Sequence, residues 1–123
     1  MPLTSLNQYI AATNTHEFEK VLPHLDSSFS HIFNGQLRDQ MDEIKAYFTS
    51  NWKAIQDEDY SVRDVLYTYV DTNETVLLVI YTYHFKGIQN GQLIEGQGKA
   101  TNIFRKNDLT KKWVLLHEHL SKS

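Results

Sequence analysis

Residues 91–121 read GQLIEGQGKATNIFRKNDLTKKWVLLHEHLS. Gln92 to Lys106 and Lys112 to Leu120 are β patterns, rich in residues that suit a pleated surface, and Asn107 to Lys111 is a polar turn between them. Asn90-Gly91, just upstream, is the dipeptide that readily adopts the left-handed backbone of a tight hairpin, so another strand must precede it. That strand is Thr75 to Gly87 (TVLLVIYTYHFKG), and Asp71-Thr72-Asn73-Glu74 separates it from a further β pattern, Ser61 to Val70. Four strands joined by short polar turns make an antiparallel meander. Strands of this length would each run about 35 to 45 Å if flat. A flat sheet that long would leave a face uncovered in so short a chain, so the strands must bend. Gly96 and Gly98 are the expected places for a bend or bulge.

The segment that must cover the sheet lies upstream and is mostly helical. Thr4 or Ser5 caps a helix with Leu6, Tyr9, Ile10 and Thr13 on one face. Asn14 with Glu17 resembles a capping box for a second short helix, which buries Phe18, Val21 and Leu22 and ends at Pro23. Ser28 to Phe33 alternates as a short strand, Asn34-Gly35 turns, and Asp39 caps the longest helix, Gln40 to Ile55. The stripe of that helix is Met41, Ile44, Phe48, Trp52 and Ile55. The expected fold class is α+β: a cone-shaped, strongly bent antiparallel sheet wrapped around a long helix, with two N-terminal helices.

Composition narrows the function classes. The chain has 123 residues, 41% hydrophobic and 22% charged, as expected of one domain spanning residues 1–123. A net charge of −3 gives no electrostatic reason for nucleic acid or an anionic membrane as partner. Cysteine is absent, which rules out disulfides and thiolate metal sites. The opening MPLTSLNQYIAATNT lacks the basic and apolar regions of a signal peptide, no segment is apolar enough to span a membrane, and a cytoplasmic protein is expected. There is no phosphate loop, no G-x-S-x-G elbow and no H-E-x-x-H run.

The layout of helices, short strand, long helix and meander resembles the nuclear transport factor 2-like superfamily, also called cystatin-like, and within it the SnoaL-like and kinase-association-type members. Their last strands carry a pattern like T-R-V-W, a charged turn, K-W, and H-x-H-x-S. Here those positions read Thr101-Asn102-Ile103-Phe104, Arg105 to Asp108, Lys112-Trp113, and His117-Glu118-His119-Leu120-Ser121. The resemblance implies a pocket between sheet and helices, a tyrosine of the first helix lining it, and a sheet-to-sheet homodimer. Kinase-association-type domains place arginines at the positions of Asn102 and Leu120, so carboxylate binding of that kind is not expected. Ketosteroid isomerases have an acidic proton shuttle where this chain reads Ser30-His31-Ile32-Phe33.

Several residues carry candidate chemistry. His117 and His119 share one face of the last strand and Glu118 takes the other, with Leu116 and Leu120. If that second face lines the pocket, Glu118 is a carboxylate among apolar neighbours and a candidate general base. Otherwise it pairs with a lysine such as Lys99 or meets solvent. His31 is a second candidate acid or base. Tyr9 and Asn102 are candidate hydrogen-bonding partners of a ligand carbonyl, Trp52 a candidate rim, and Tyr47 and Phe48 core. His117 and His119 would need a third ligand, His31 or His84, to hold zinc, and nothing in the sequence requires one. No metal and no cofactor is expected. Tyr67, Tyr69, Tyr81 and Tyr83 crowd two neighbouring strands and mark the outer sheet face as the expected dimer interface. The first expectation is binding of a small, mostly apolar molecule. The alternatives are an acid–base enzyme of isomerase, cyclase or hydratase type, and an oligomerisation module.

Overall fold

The computed structural model describes residues 2–123. Helix α1 spans Pro2–Thr13 and α2 Phe18–Val21; a 3-10 turn at Leu22–His24 leads into β1, Leu25–Phe33, and β2, Gln36–Arg38. Helix α3 spans Met41–Ala54, followed by β3 Gln56–Tyr69, β4 Val76–Gln89, β5 Gln92–Lys106 and β6 Trp113–Lys122. The six strands form one curled sheet in the order β2-β1-β6-β5-β4-β3. The expected meander is there, from β3 to β6. The sheet is nonetheless mixed rather than wholly antiparallel, because β1 lies parallel to β6. Among the described residues no helix is long and apolar enough to cross a membrane.

Alternation along the strands decides what lies inside. On β4, Leu77, Val79, Tyr81 and Tyr83 face the helices, joined by Ala100 and Phe104 of β5 and Leu115 and Leu120 of β6. The helices answer with Leu6, Tyr9, Ile10, Phe18, Ile44 and Phe48. Tyr81 and Tyr83 are thus core residues, and Tyr69 packs against Trp113 with ring centres 6.2 Å apart. The outer face expected to be rich in tyrosine instead carries an aliphatic patch bordered by Thr101, His117 and His119. Leu66 and Ile80 are cross-strand partners there, 70% and 40% exposed, next to Leu78 and Ile103.

No bulge falls at the two glycines where a bend or bulge is expected. Gly96 and Gly98 pair with Phe85 and Tyr83 in an unbroken β4–β5 register. A Cβ on Gly96 would sit 2.7 Å from the Phe85 ring, and one on Gly98 would overlap the Ser121 carbonyl oxygen and lie 2.6 Å from the Tyr83 hydroxyl. The two glycines let aromatic rings lie across their strand; they do not bulge it. The register shifts fall in β1 between Leu25 and Ser30, in β3, where Asp57 and Asp64 take positive φ, and in β6. Aspartate tolerates that backbone better than most residues, and each extra residue adds twist.

The expected caps are used otherwise. Helix α3 starts after Gln40 without a side-chain cap, so Asp39 does not cap it. Asn14 caps nothing: its amide donates to the Tyr60 carbonyl at 2.8 Å and its oxygen accepts the Tyr60 N–H at 2.8 Å. One side chain thereby imitates a neighbouring strand and ties the end of α1 to β3.

Candidate ligand site in the cone

The β6 bulge determines which face of the last strand turns inward. Ile103 pairs with His117 and Phe104 with Leu115, which leaves Leu116 unpaired between them. Leu115 is therefore fully buried and Leu116 only half-buried, while Glu118 and Leu120 point into the cone. The expectation that Leu116 shares the pocket face fails for this reason. His117 and His119 face outward, with the His117 Nδ1 2.7 Å from the Ser30 hydroxyl. His31 lies on the opposite face, so it does not join them as a metal ligand.

Glu118 is 3% exposed. Its strand neighbours in register are His31 on β1 and Asn102 on β5, both buried, so three polar side chains sit in a row across the sheet. From α1, Tyr9 donates its hydroxyl to Glu118 Oε1 at 2.9 Å. The other contacts are longer. His31 Nε2 lies 3.5 Å from Oε1, and the Tyr81 hydroxyl oxygen lies 3.4 Å from Oε2. With its amide nitrogen turned to the carboxylate, Asn102 donates to Oε2 at 3.3 Å and accepts from Tyr81 at 3.2 Å. Only the Tyr9 bond has ordinary hydrogen-bond length, so the carboxylate retains acceptor capacity. Lys99 bonds Thr82 at 2.6 Å instead of Glu118.

Above this cluster lies a cavity of about 360 Å³. Of the candidate residues, Tyr9, His31, Trp52, Glu118 and Leu120 line it. Asn102 does not; it supports Glu118 from the side. Eight aromatic side chains line the walls: Tyr9, Phe33, Tyr47, Phe48, Trp52, Tyr60, Tyr83 and Phe85. The Tyr83 hydroxyl and His31 Nδ1 are buried with no hydrogen-bond partner. The Arg38 guanidinium lies over the Tyr47 ring at 4.2 Å. At the more exposed end, Trp52 stacks on His16 at 5.5 Å, and His16 Nε2 is 2.8 Å from the Glu58 carbonyl oxygen. Asn51 donates to the Glu58 carboxylate at 3.1 Å. Sequence reasoning missed Glu58, Tyr60, Tyr83 and Phe85. For β3 the period-two alternation is broken by one bulge that contains Glu58 and a second that follows Arg63, so no regular pattern pointed inward.

Electrostatics follow burial. Desolvation holds the Tyr9 and Tyr81 hydroxyls well above the usual tyrosine pKa, and the nearby Glu118 adds to it. Burial also raises Glu58, against opposing contributions from Asn51 and His16. A tyrosine that ionises at higher pH in the folded than in the unfolded chain stabilises the fold below the unfolded pKa, and that stability is lost as pH rises above it. Above about pH 10, stability is expected to fall by about 1.4 kcal/mol per pH unit for each such group. Urea unfolding from pH 9 to 11 is expected to show a shallower decline for Tyr9→Phe than for the unaltered protein. Equal slopes would contradict the burial argument.

Residues 3–123 match the family model for the SnoaL-like domain. A search of curated proteins gave no match. Among solved structures, the chain is similar to a nuclear transport factor 2-like superfamily protein from Salmonella enterica, at TM-score 0.84 and 15% identity over 97% of this chain and 86% of that one. It is similar to a putative calcium/calmodulin-dependent protein kinase II association domain from Xanthomonas campestris, at TM-score 0.81 and 18% identity over 96% and 82%. A ketosteroid isomerase-like protein from Erwinia carotovora gives TM-score 0.78 and 17% identity over 97% and 91%. At these identities the likenesses establish the cystatin-like fold, and the family match, which spans nearly the whole chain, establishes that this protein belongs to the SnoaL-like domain family.

Proposed function

We propose that the protein binds a small, mostly apolar ligand in the cone, with a polar group of the ligand against Tyr9, His31 and Glu118. The observation that carries this reading is the buried Glu118 carboxylate, which faces an open cavity with one full-strength hydrogen bond. Such a group in an otherwise aromatic pocket fixes the orientation of a ligand. A cone filled by its own side chains would have favoured a purely assembling role. Leu120→Trp, which fills the cavity from β6, tests the reading. Small aromatic compounds found to raise the melting temperature of the unaltered protein are expected to lose that effect on the variant. An equal effect on both proteins would place binding elsewhere.

A second reading, acid–base catalysis, is favoured by two titratable side chains 3.5 Å apart at the cavity floor. Glu118 or His31 would take a proton from a carbon next to a ligand carbonyl and return it to another carbon. The unpartnered hydroxyl of Tyr83, or Tyr9 once its hydroxyl hydrogen turns from Glu118 to the ligand, would polarise the carbonyl in place of Asn102. We further infer that two copies pair through the outer sheet face around Leu66 and Ile80. Native mass spectrometry is expected to show a dimer at micromolar concentration and a monomer for Ile80→Lys. A monomeric unaltered protein would contradict the pairing.

A further inference from the structure

The more exposed end of the cavity contains a carboxylate that the proposed reading does not use. Glu58 lines the cavity and is half-buried, yet its one side-chain hydrogen bond comes from the neutral amide of Asn51 at 3.1 Å. His16 engages the Glu58 backbone carbonyl, not the carboxylate. The ion pairs among the described residues join His31 to Glu118, His84 to Glu95 and Arg105 to Asp26; none includes Glu58. Of the lysines and arginines among the described residues, Lys122 alone lines the cavity, and its ammonium sits 5.9 Å from the centre of the Phe33 ring. Arg38 is held over Tyr47 and is not part of the lining.

Removing a carboxylate from water without a cation is costly, and burial accordingly pushes Glu58 toward its neutral form. Aromatic faces add their own preference, because the ring quadrupole attracts a positive charge and Trp does so most strongly. Phe48, Trp52 and Tyr60 line the cavity with Glu58, and Phe48 and Trp52 meet edge to face at 5.8 Å. An aromatic wall beside an acid that has no lysine or arginine partner, and only the weakly basic His16 nearby, is the chemistry that recognises an organic cation. It is also the reverse of the arginine-lined pocket that would hold an acid.

We infer that the ligand carries, besides the group that meets Glu118, an alkyl- or arylammonium head seated at Glu58 against Trp52 and Tyr60. This deepens the ligand-binding reading and rests on it. The test uses three probes of similar shape: phenyltrimethylammonium, its uncharged isostere tert-butylbenzene, and benzoate. Binding is followed by NMR through the Trp52 indole N–H, assigned with Trp113→Phe. The cation is expected to bind about tenfold tighter than the isostere, or about 1.4 kcal/mol, with benzoate weakest. Glu58→Gln is expected to erase the preference for the cation. An isostere that binds as tightly as the cation, or a preference that survives Glu58→Gln, would overturn the cation while leaving the cone as a ligand site. No response of Trp52 to any probe would sink both readings.

Discussion

Glu118→Gln is expected to leave the protein folded while weakening ligand binding by about tenfold or more and abolishing any turnover. The substitution keeps the shape of the side chain and an oxygen that can still accept the Tyr9 hydroxyl at Oε1. Asn102 can reverse its amide to suit the new nitrogen, since its own oxygen can then face the glutamine. The structural cost is therefore that of one altered buried hydrogen bond, about 1–2 kcal/mol. The functional cost is larger. The substitution removes the buried carboxylate that β6 presents to the cavity floor, and with it one of the two candidate bases of the acid–base reading. Loss of a general base reduces rates by about 100-fold or more. Thermal melts followed by titration with a cone ligand separate the two effects. A variant that binds and turns over like the unaltered protein would show that Glu118 is a structural carboxylate.

Gly98→Val is expected to be among the most destabilising single changes in the chain. Gly98 is buried between β4 and β6, and any Cβ there overlaps the Ser121 carbonyl oxygen and meets the Tyr83 ring at 2.7 Å. Ser121 is held by the β5–β6 ladder, so the backbone cannot give way cheaply. Tyr83 is stacked on Tyr60, with ring centres 5.7 Å apart and planes 7° apart, so its ring cannot move without disturbing the cavity wall. Overpacking of this kind costs about 3 kcal/mol, which in a domain of this size lowers the melting temperature by about 10 °C. Gly96→Val meets only the Phe85 ring, which is half-exposed, and is expected to cost less. Calorimetric melts of the two variants check the order. Equal melting temperatures would contradict the account of why the glycines are there.

The two glycines show where sequence reading reaches its limit. They were visible as exceptions in a strand, and their position in β5 follows from the Asn90-Gly91 hairpin. Their purpose depends on which cross-strand neighbour faces them, and that register is a tertiary fact. The same holds for β6. The two-residue period correctly separates Glu118 from His117 and His119, and the first helix correctly brings Tyr9 to the pocket. Leu116 was placed wrongly because one bulge residue reverses the alternation, and a bulge in an aliphatic run such as Val114-Leu115-Leu116 leaves no mark in composition. The outer face was read as tyrosine-rich for a related reason. Tyr81 and Tyr83 occupy alternate positions on one strand, so both had to face the same way, and only the helices' position shows that this way is inward. Glu58 stayed hidden because Gln56 to Asp59 lie before the β pattern read at Ser61 to Val70 and are in fact the bulged start of β3.

We propose that the cone between sheet and helices, with Glu118 at its floor, is where this protein meets a small molecule. The direct measurement is a crystal structure of the protein after incubation with a cell extract, refined for density inside the cone. A bound molecule is expected to touch Trp52 and to lie within hydrogen-bond reach of Tyr9, His31 or Glu118. A cone closed by the collapse of Tyr47 and Trp52 onto Leu120, or a molecule bound elsewhere while the cone holds only water, would contradict it.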